Sequence, residues 1–119
     1  MTKNKESTRY YSTNHEESIC KALGGHRQPN SGAAKFNKGD IIVESANMLI
    51  EAKTTMTDKE SFSIKKDWVT KNKNEAFAVR MYNEAVCFNF GPNQPNYYVI
   101  NERLMKFLVE KLNEEYLKS

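Results

Sequence analysis

The chain has 119 residues, 39% hydrophobic and 28% charged, with a formal net charge of +3. That is one domain's worth of sequence with apolar residues for a single core, and no apolar run nears the roughly 20 residues that cross a bilayer, so no membrane partner is expected. A pI near 8.8 is compatible with a nucleic-acid partner without indicating one. The N-terminal segment MTKNKESTRYYSTN has no apolar signal core, which predicts no export and a cytoplasmic location.

Residues 1–12 read as a flexible basic arm carrying Lys3, Lys5 and Arg9, with Tyr10 and Tyr11 able to dock or stack. Residues 13–119 read as a single domain. A helix is expected from near Asn14, after the cap-type residues Ser12 and Thr13. Ile19, Ala22 and Leu23 give its apolar face, with Cys20 beside them, and Gly24-Gly25 ends it. The stretch HRQPNSGAAKFNKG reads as a loop, or as a short strand with a loop.

Two strands follow, Asp40 to Glu44 and Met48 to Lys53. Their consecutive apolar residues, Ile41-Ile42-Val43 and Met48-Leu49-Ile50, predict a hairpin covered on both faces and central in a sheet. Residues 54–61 read as a mobile linker. A helix is expected over 62–81, with Ile64, Trp68, Ala76 and Val79 on one face and a polar middle, KNKN. Glu84 to Phe90 and Asn96 to Asn101 read as a second hairpin around GPNQP. A last helix, 102–117, repeats apolar residues at Leu104, Phe107, Leu108, Leu112 and Tyr116. The expected fold is α/β, with helices around a small mixed sheet. Cys20 and Cys87 read as buried thiols, not a disulfide or a zinc site.

The chemistry concentrates in the first hairpin. With Ser45 and Ala46 as its turn, Glu44 pairs with Asn47, and counting outward sets Asp40 opposite Glu51. Directly opposed residues have Cβ atoms about 4.5–5.5 Å apart and share a face. Lys53, two residues on, points the same way. Opposed carboxylates repel, and Mg²⁺ with its preference for carboxylate oxygen offsets that; Lys53 offsets it in part. The same triplet also fits a plain strand pair with a salt bridge from Lys53 to Glu51 or across to Asp40. Neither His15 nor His26 has a partner at metal spacing, and Trp68 reads as core in preference to a stacking platform.

The segment KGDIIVESANMLIEAK resembles the D…(D/E)xK signature of the PD-(D/E)xK nuclease superfamily, with Gly39 where the family often has proline. HEESICKALGGHRQPNSGA resembles the start of small phage and archaeal Holliday-junction-resolvase-like nucleases, and FSIKKDW followed by EAF resembles the helix after their ExK strand. The likeness covers residues 14–101. It implies a restriction-endonuclease-like fold and Mg²⁺-dependent cleavage of DNA, with Mn²⁺ as a possible substitute. Branched recombination junctions are the implied substrate, and a two-fold homodimer is the implied assembly. If the chain is phage-encoded, its compartment is the host cytoplasm. Asp40 and Glu51 would hold the metal, the Ala52 carbonyl would complete the shell, and Lys53 would be the catalytic lysine. The helix glutamate of the family is Glu16 or Glu17 here. Glu16 is preferred as catalytic residue and metal ligand, because Ile19 and Leu23 stand three and seven residues on. Ser31 and Gly32 would lie beside the scissile strand, and Arg27, Lys35, Lys38, Lys65 and Lys66 would contact phosphates. A nicking or linear-duplex endonuclease, and a DNA-binding protein without catalysis, are the alternative readings.

Overall fold

The structure is a computed structural model that describes residues 3–28 and 41–118, with side chains from Arg9 on. Asp40, Ser31, Gly32, Lys35 and Lys38 lie outside the described residues. Helix α1 is Lys3–Leu23 and strand β1 is His26–Arg27. Strand β2 is Ile41–Val43 and strand β3 is Met48–Lys53, joined by a 3-10 turn at Glu44–Ala46. Helix α2 is Lys66–Ala78, strand β4 is Asn83–Phe88, strand β5 is Tyr97–Ile100, and helix α3 is Glu102–Lys118. The strands make one mixed sheet in the order β1-β2-β3-β4-β5, antiparallel except where β3 and β4 run parallel.

Strand β3 is the middle strand, as its apolar run predicts. Its alternation splits the core into two clusters. Ile50 joins Ile19, Ile41, Val43, Ala85 and Cys87 under α1, while Leu49 joins Ile42 and Ala76 under α2. The β2–β3 register, Ile41↔Ile50 and Val43↔Met48, is the expected one. The turn holds it. Asn47 adopts the left-handed conformation, with φ 54°, and its N–H donates to the Glu44 carbonyl over 3.0 Å; asparagine tolerates that region better than most residues.

Helix α1 begins well before Asn14, so residues 3–12 are helical where a flexible arm is expected. No glycine or proline interrupts 3–23, and Lys3, Lys5, Glu6 and Arg9 are good helix formers. Its end follows expectation: Gly24 takes φ +74° and donates to the Cys20 carbonyl at 2.8 Å. Gly25 is needed for a different reason. A Cβ there would sit 2.9 Å from the Ile42 carbonyl oxygen and from the Ile41 and Val43 methyls.

Helix α2 is shorter than expected. Lys65 still has an extended backbone, with φ −85° and ψ 136°. Within the polar KNKN stretch, Asn72 is fully buried and its Nδ2 donates to the Ala85 carbonyl at 2.9 Å. Residues 54–61 have no regular structure but are held: Lys59 N–H donates to the Phe90 carbonyl at 2.7 Å, and Asp58 packs on Gly91. Helix α3 departs most from expectation. Of its predicted apolar face only Leu104 is buried; Phe107, Leu108, Leu112 and Tyr116 are exposed.

Gly25→Ala is expected to destabilise the fold by about 1–3 kcal/mol through forced displacement of β2, read as a lower denaturation midpoint. An unchanged midpoint would show that β2 yields without cost.

Candidate active site

Glu51, Ala52 and Lys53 end β3, beside Val86, Cys87 and Phe88 of the parallel strand β4. Alternation sends Glu51 and Lys53 to the face that carries Leu49, under α2. Lys53 Nζ lies 3.5 Å from Glu51 Oε2, with side-chain exposures of 29% and 17%. The same ammonium sits 4.5 Å from the Trp68 ring centroid, and Lys65 Nζ sits 5.7 Å from it. Trp68 is therefore neither plain core nor a bare platform. It is a half-buried ring in the first turn of α2, shared by two lysines. Phe62 and Phe88 stack at 5.1 Å, and Phe62 lies 6.1 Å from Trp68. These rings and the low exposure of Glu51 reduce solvent contact with the pair, which strengthens its electrostatics.

Glu16 is held elsewhere. Its Oε1 accepts from Arg27 Nε at 2.9 Å, and its side chain is 19% exposed. Glu17 is exposed, as the helical spacing predicts. Arg27 pairs with Ile41 across β1–β2, and Ile41 belongs to the cluster under α1. Directly opposed residues share a face, so Arg27 and its partner Glu16 stand on the α1 side. Glu51 and Lys53 stand on the α2 side. Lys65 caps α2 without a side-chain cap bond, and Lys66 opens the helix; both are exposed. Among the described residues no three His, Cys, Asp or Glu side chains converge.

Two features escape the sequence reading. Thr54 Oγ1 donates to Asn89 Oδ1 at 2.8 Å, tying the ends of β3 and β4 together on the α1 side. The period-two signal Phe88-Asn89-Phe90 marks Asn89 as the odd polar residue of its face. His15 is the second. It is 5% exposed, with Nε2 3.1 Å from Asn96 Oδ1 and 3.6 Å from Cys87 Sγ. Its place one turn before Ile19 is the signal that would have found it. His15 and Asn89 line a polar cleft of about 530 Å³ with Tyr10, Tyr11, Thr54 and Asn96.

The His15–Cys87 contact is not a nucleophile with its base. Burial lowers the His15 pKa below 6.5, and Asn96 opposes that in part. Burial likewise pushes the Cys87 thiol up to about 12. Both groups stay neutral, whereas a reactive cysteine needs the thiolate. Cys20 and Cys87 are both free thiols, and no described helix is long and apolar enough to cross a membrane.

No protein-family model, no curated protein and no solved structure matches this chain.

A histidine buried neutral makes stability depend on pH. Above 6.5 neither state binds the proton, and below it the unfolded chain binds first. Folding stability is expected to fall as pH drops from 6.5 toward the depressed pKa, and His15→Gln is expected to flatten that limb. Denaturation midpoints at about pH 7.5 and pH 5 decide it; parallel acid limbs in the two proteins would remove His15 as the cause.

Proposed function

We propose that the chain is a Mg²⁺-dependent DNA endonuclease with a restriction-endonuclease-like fold, and that it cuts branched recombination junctions. One observation carries most of this reading. A carboxylate and an ammonium, Glu51 and Lys53, meet on one face at the end of the central strand. They do so in a hairpin whose described register, Ile41↔Ile50, is the one expected from the sequence. The element order helix, three antiparallel strands, helix, parallel strand supports the fold assignment.

Glu51 carboxylate and Ala52 carbonyl are hard oxygen donors of the kind Mg²⁺ takes, and Asp40 would add a second carboxylate. The half-buried Glu51 side chain, 17% exposed, is a place where negative charge gains from a cation. When bound, Mg²⁺ supplies positive charge to the scissile phosphate and acidifies its water. Lys53 holds a proton-rich ammonium beside the same carboxylate, able to orient water or to meet charge developing on the phosphate. Lys65 shares the Trp68 ring with it, and a second cation near the first adds positive charge that attracts a phosphate to this end of the sheet. The first N–H groups of α2 face the same end, where the helix dipole favours an anion.

Glu16 enters differently from the family pattern. Its ion pair with Arg27 on the α1 face suits a residue that aims Arg27 at the DNA backbone better than a metal ligand. The polar cleft at the same end of the sheet offers amides and tyrosines, not the apolar walls of a small-molecule pocket.

Cleavage of a four-way junction, a nicked duplex and a linear duplex, each with Mg²⁺ or EDTA, tests the reading. Junction cutting in Mg²⁺ alone is expected, abolished by Asp40→Asn or Glu51→Gln, and reduced roughly 10²–10³-fold by Lys53→Ala. Wild-type rates in either carboxylate variant would remove the site. Cutting of linear duplex with the junction left intact would assign the other substrate, and binding without cutting would assign a DNA-binding protein. Glu16→Gln separates its two roles: a raised KM with kcat kept fits the Arg27 role, and loss of kcat restores the metal-ligand role.

A further inference from the structure

Helix α3 runs from Glu102 to Lys118 with Leu104 as its one buried residue. A helix of this length gains little from propensity alone and depends on packing of an apolar face. The face is present. Met105, Leu108, Val109, Leu112 and Tyr116 fall on one side at helical spacing and are 53%, 41%, 42%, 53% and 75% exposed. The other side is mostly charged but also exposes Phe107 and Leu117; Lys111 lies over the Phe107 ring at 5.5 Å and pairs with Glu114 at 3.5 Å.

We propose that this stripe is the contact through which two copies of the chain pair, their α3 helices antiparallel about a two-fold axis. Within the stripe, Met105, Val109, Leu112 and Tyr116 recur at alternating spacings of four, three and four residues, the seam of a two-stranded coiled coil. Such a seam is self-complementary when the second helix is reversed. Val109 then meets the partner's Leu112, and Met105 meets the partner's Tyr116, so each layer sets a smaller side chain against a larger one. Reversal also opposes the two helix dipoles favourably.

The charges along the helix are balanced and do not oppose a second copy. Glu102, Glu110, Glu114 and Glu115 balance Arg103, Lys106, Lys111 and Lys118 along the helix. A basic or acidic partner finds no bias to match, and a second copy meets no net repulsion. The area is sufficient. The five side chains expose roughly 500 Å² per copy, or about 1,000 Å² for the pair, where specific interfaces begin. The family resemblance implies a dimer but no surface for it; the proposal rests on α3 alone and stands whether or not the chain cuts DNA.

Sedimentation velocity or light scattering on the full chain at about 100 µM decides it. The expected mass is twice 13.8 kDa, returning to the single-chain mass in Leu112→Glu and staying double in Phe107→Glu. A monomeric wild type, or a dimer that survives Leu112→Glu, overturns the proposal. If Leu112→Glu does not fold, cysteine cross-linking replaces it. The double variant Met105→Cys with Tyr116→Cys is expected to form interchain disulfides on oxidation, above the background from Cys20 and Cys87, while Met105→Cys alone, far from its own copy across the axis, does not. Cross-linking of Met105→Cys alone overturns the antiparallel arrangement.

Discussion

Leu49 and Ile50 are neighbours in sequence, point to opposite faces of β3, and are both fully buried. Everything at the candidate site depends on that double burial. It requires a helix on each face of the sheet, which α1 and α2 supply. It also fixes parity: once Leu49 faces α2, Glu51 and Lys53 must face it too. A one-residue slip of β3 would turn Glu51 and Lys53 toward α1 and mismatch both core clusters. The strand's apolar pattern therefore protects the position of its polar end.

The two faces of the sheet carry different chemistry at that end. On the α2 face, Lys53 stands between a carboxylate and an indole, with Lys65 on the same ring and Phe62 and Phe88 behind. Charge is concentrated there and partly dehydrated. On the α1 face the polar groups near the cleft are largely neutral: Thr54, Asn89, Asn96 and an uncharged His15. Arg27 with Glu16 is a described ion pair on that side. This separation is why the helix glutamate and the strand glutamate are given different roles in the proposed nuclease.

Helix α3 shows how the same pattern can serve two ends. Leu104, Phe107, Leu108, Leu112 and Tyr116 have the period of a helix that covers a core. In the fold, Leu104 alone reaches the core, because α1 and α2 already occupy both faces of the sheet. A neighbouring stripe of Met105, Val109, Leu112 and Tyr116, left uncovered, has the spacing of a seam between two helices.

Much of the architecture was legible in sequence, for local reasons. Apolar runs at Ile41-Ile42-Val43 and Met48-Leu49-Ile50 identify strands buried on both faces, and the short turn between them sets the Ile41↔Ile50 register. Gly24 ends α1 because a left-handed residue there closes the last turn. The convergence of Glu51 with Lys53 follows from period-two alternation alone. Other features were decided only by the tertiary structure. Asn72 is buried because its turn of α2 lies over the Ala85 carbonyl, which its charged neighbours Lys71 and Lys73 do not signal. Trp68 takes two lysines because the start of α2 lies against the end of β3. Glu16 turns to Arg27 because β1 sets Arg27 on the α1 face. Sequence periodicity determines which side of an element is apolar. Which neighbour covers that side depends on how the elements share a limited core, and only the assembled fold settles it.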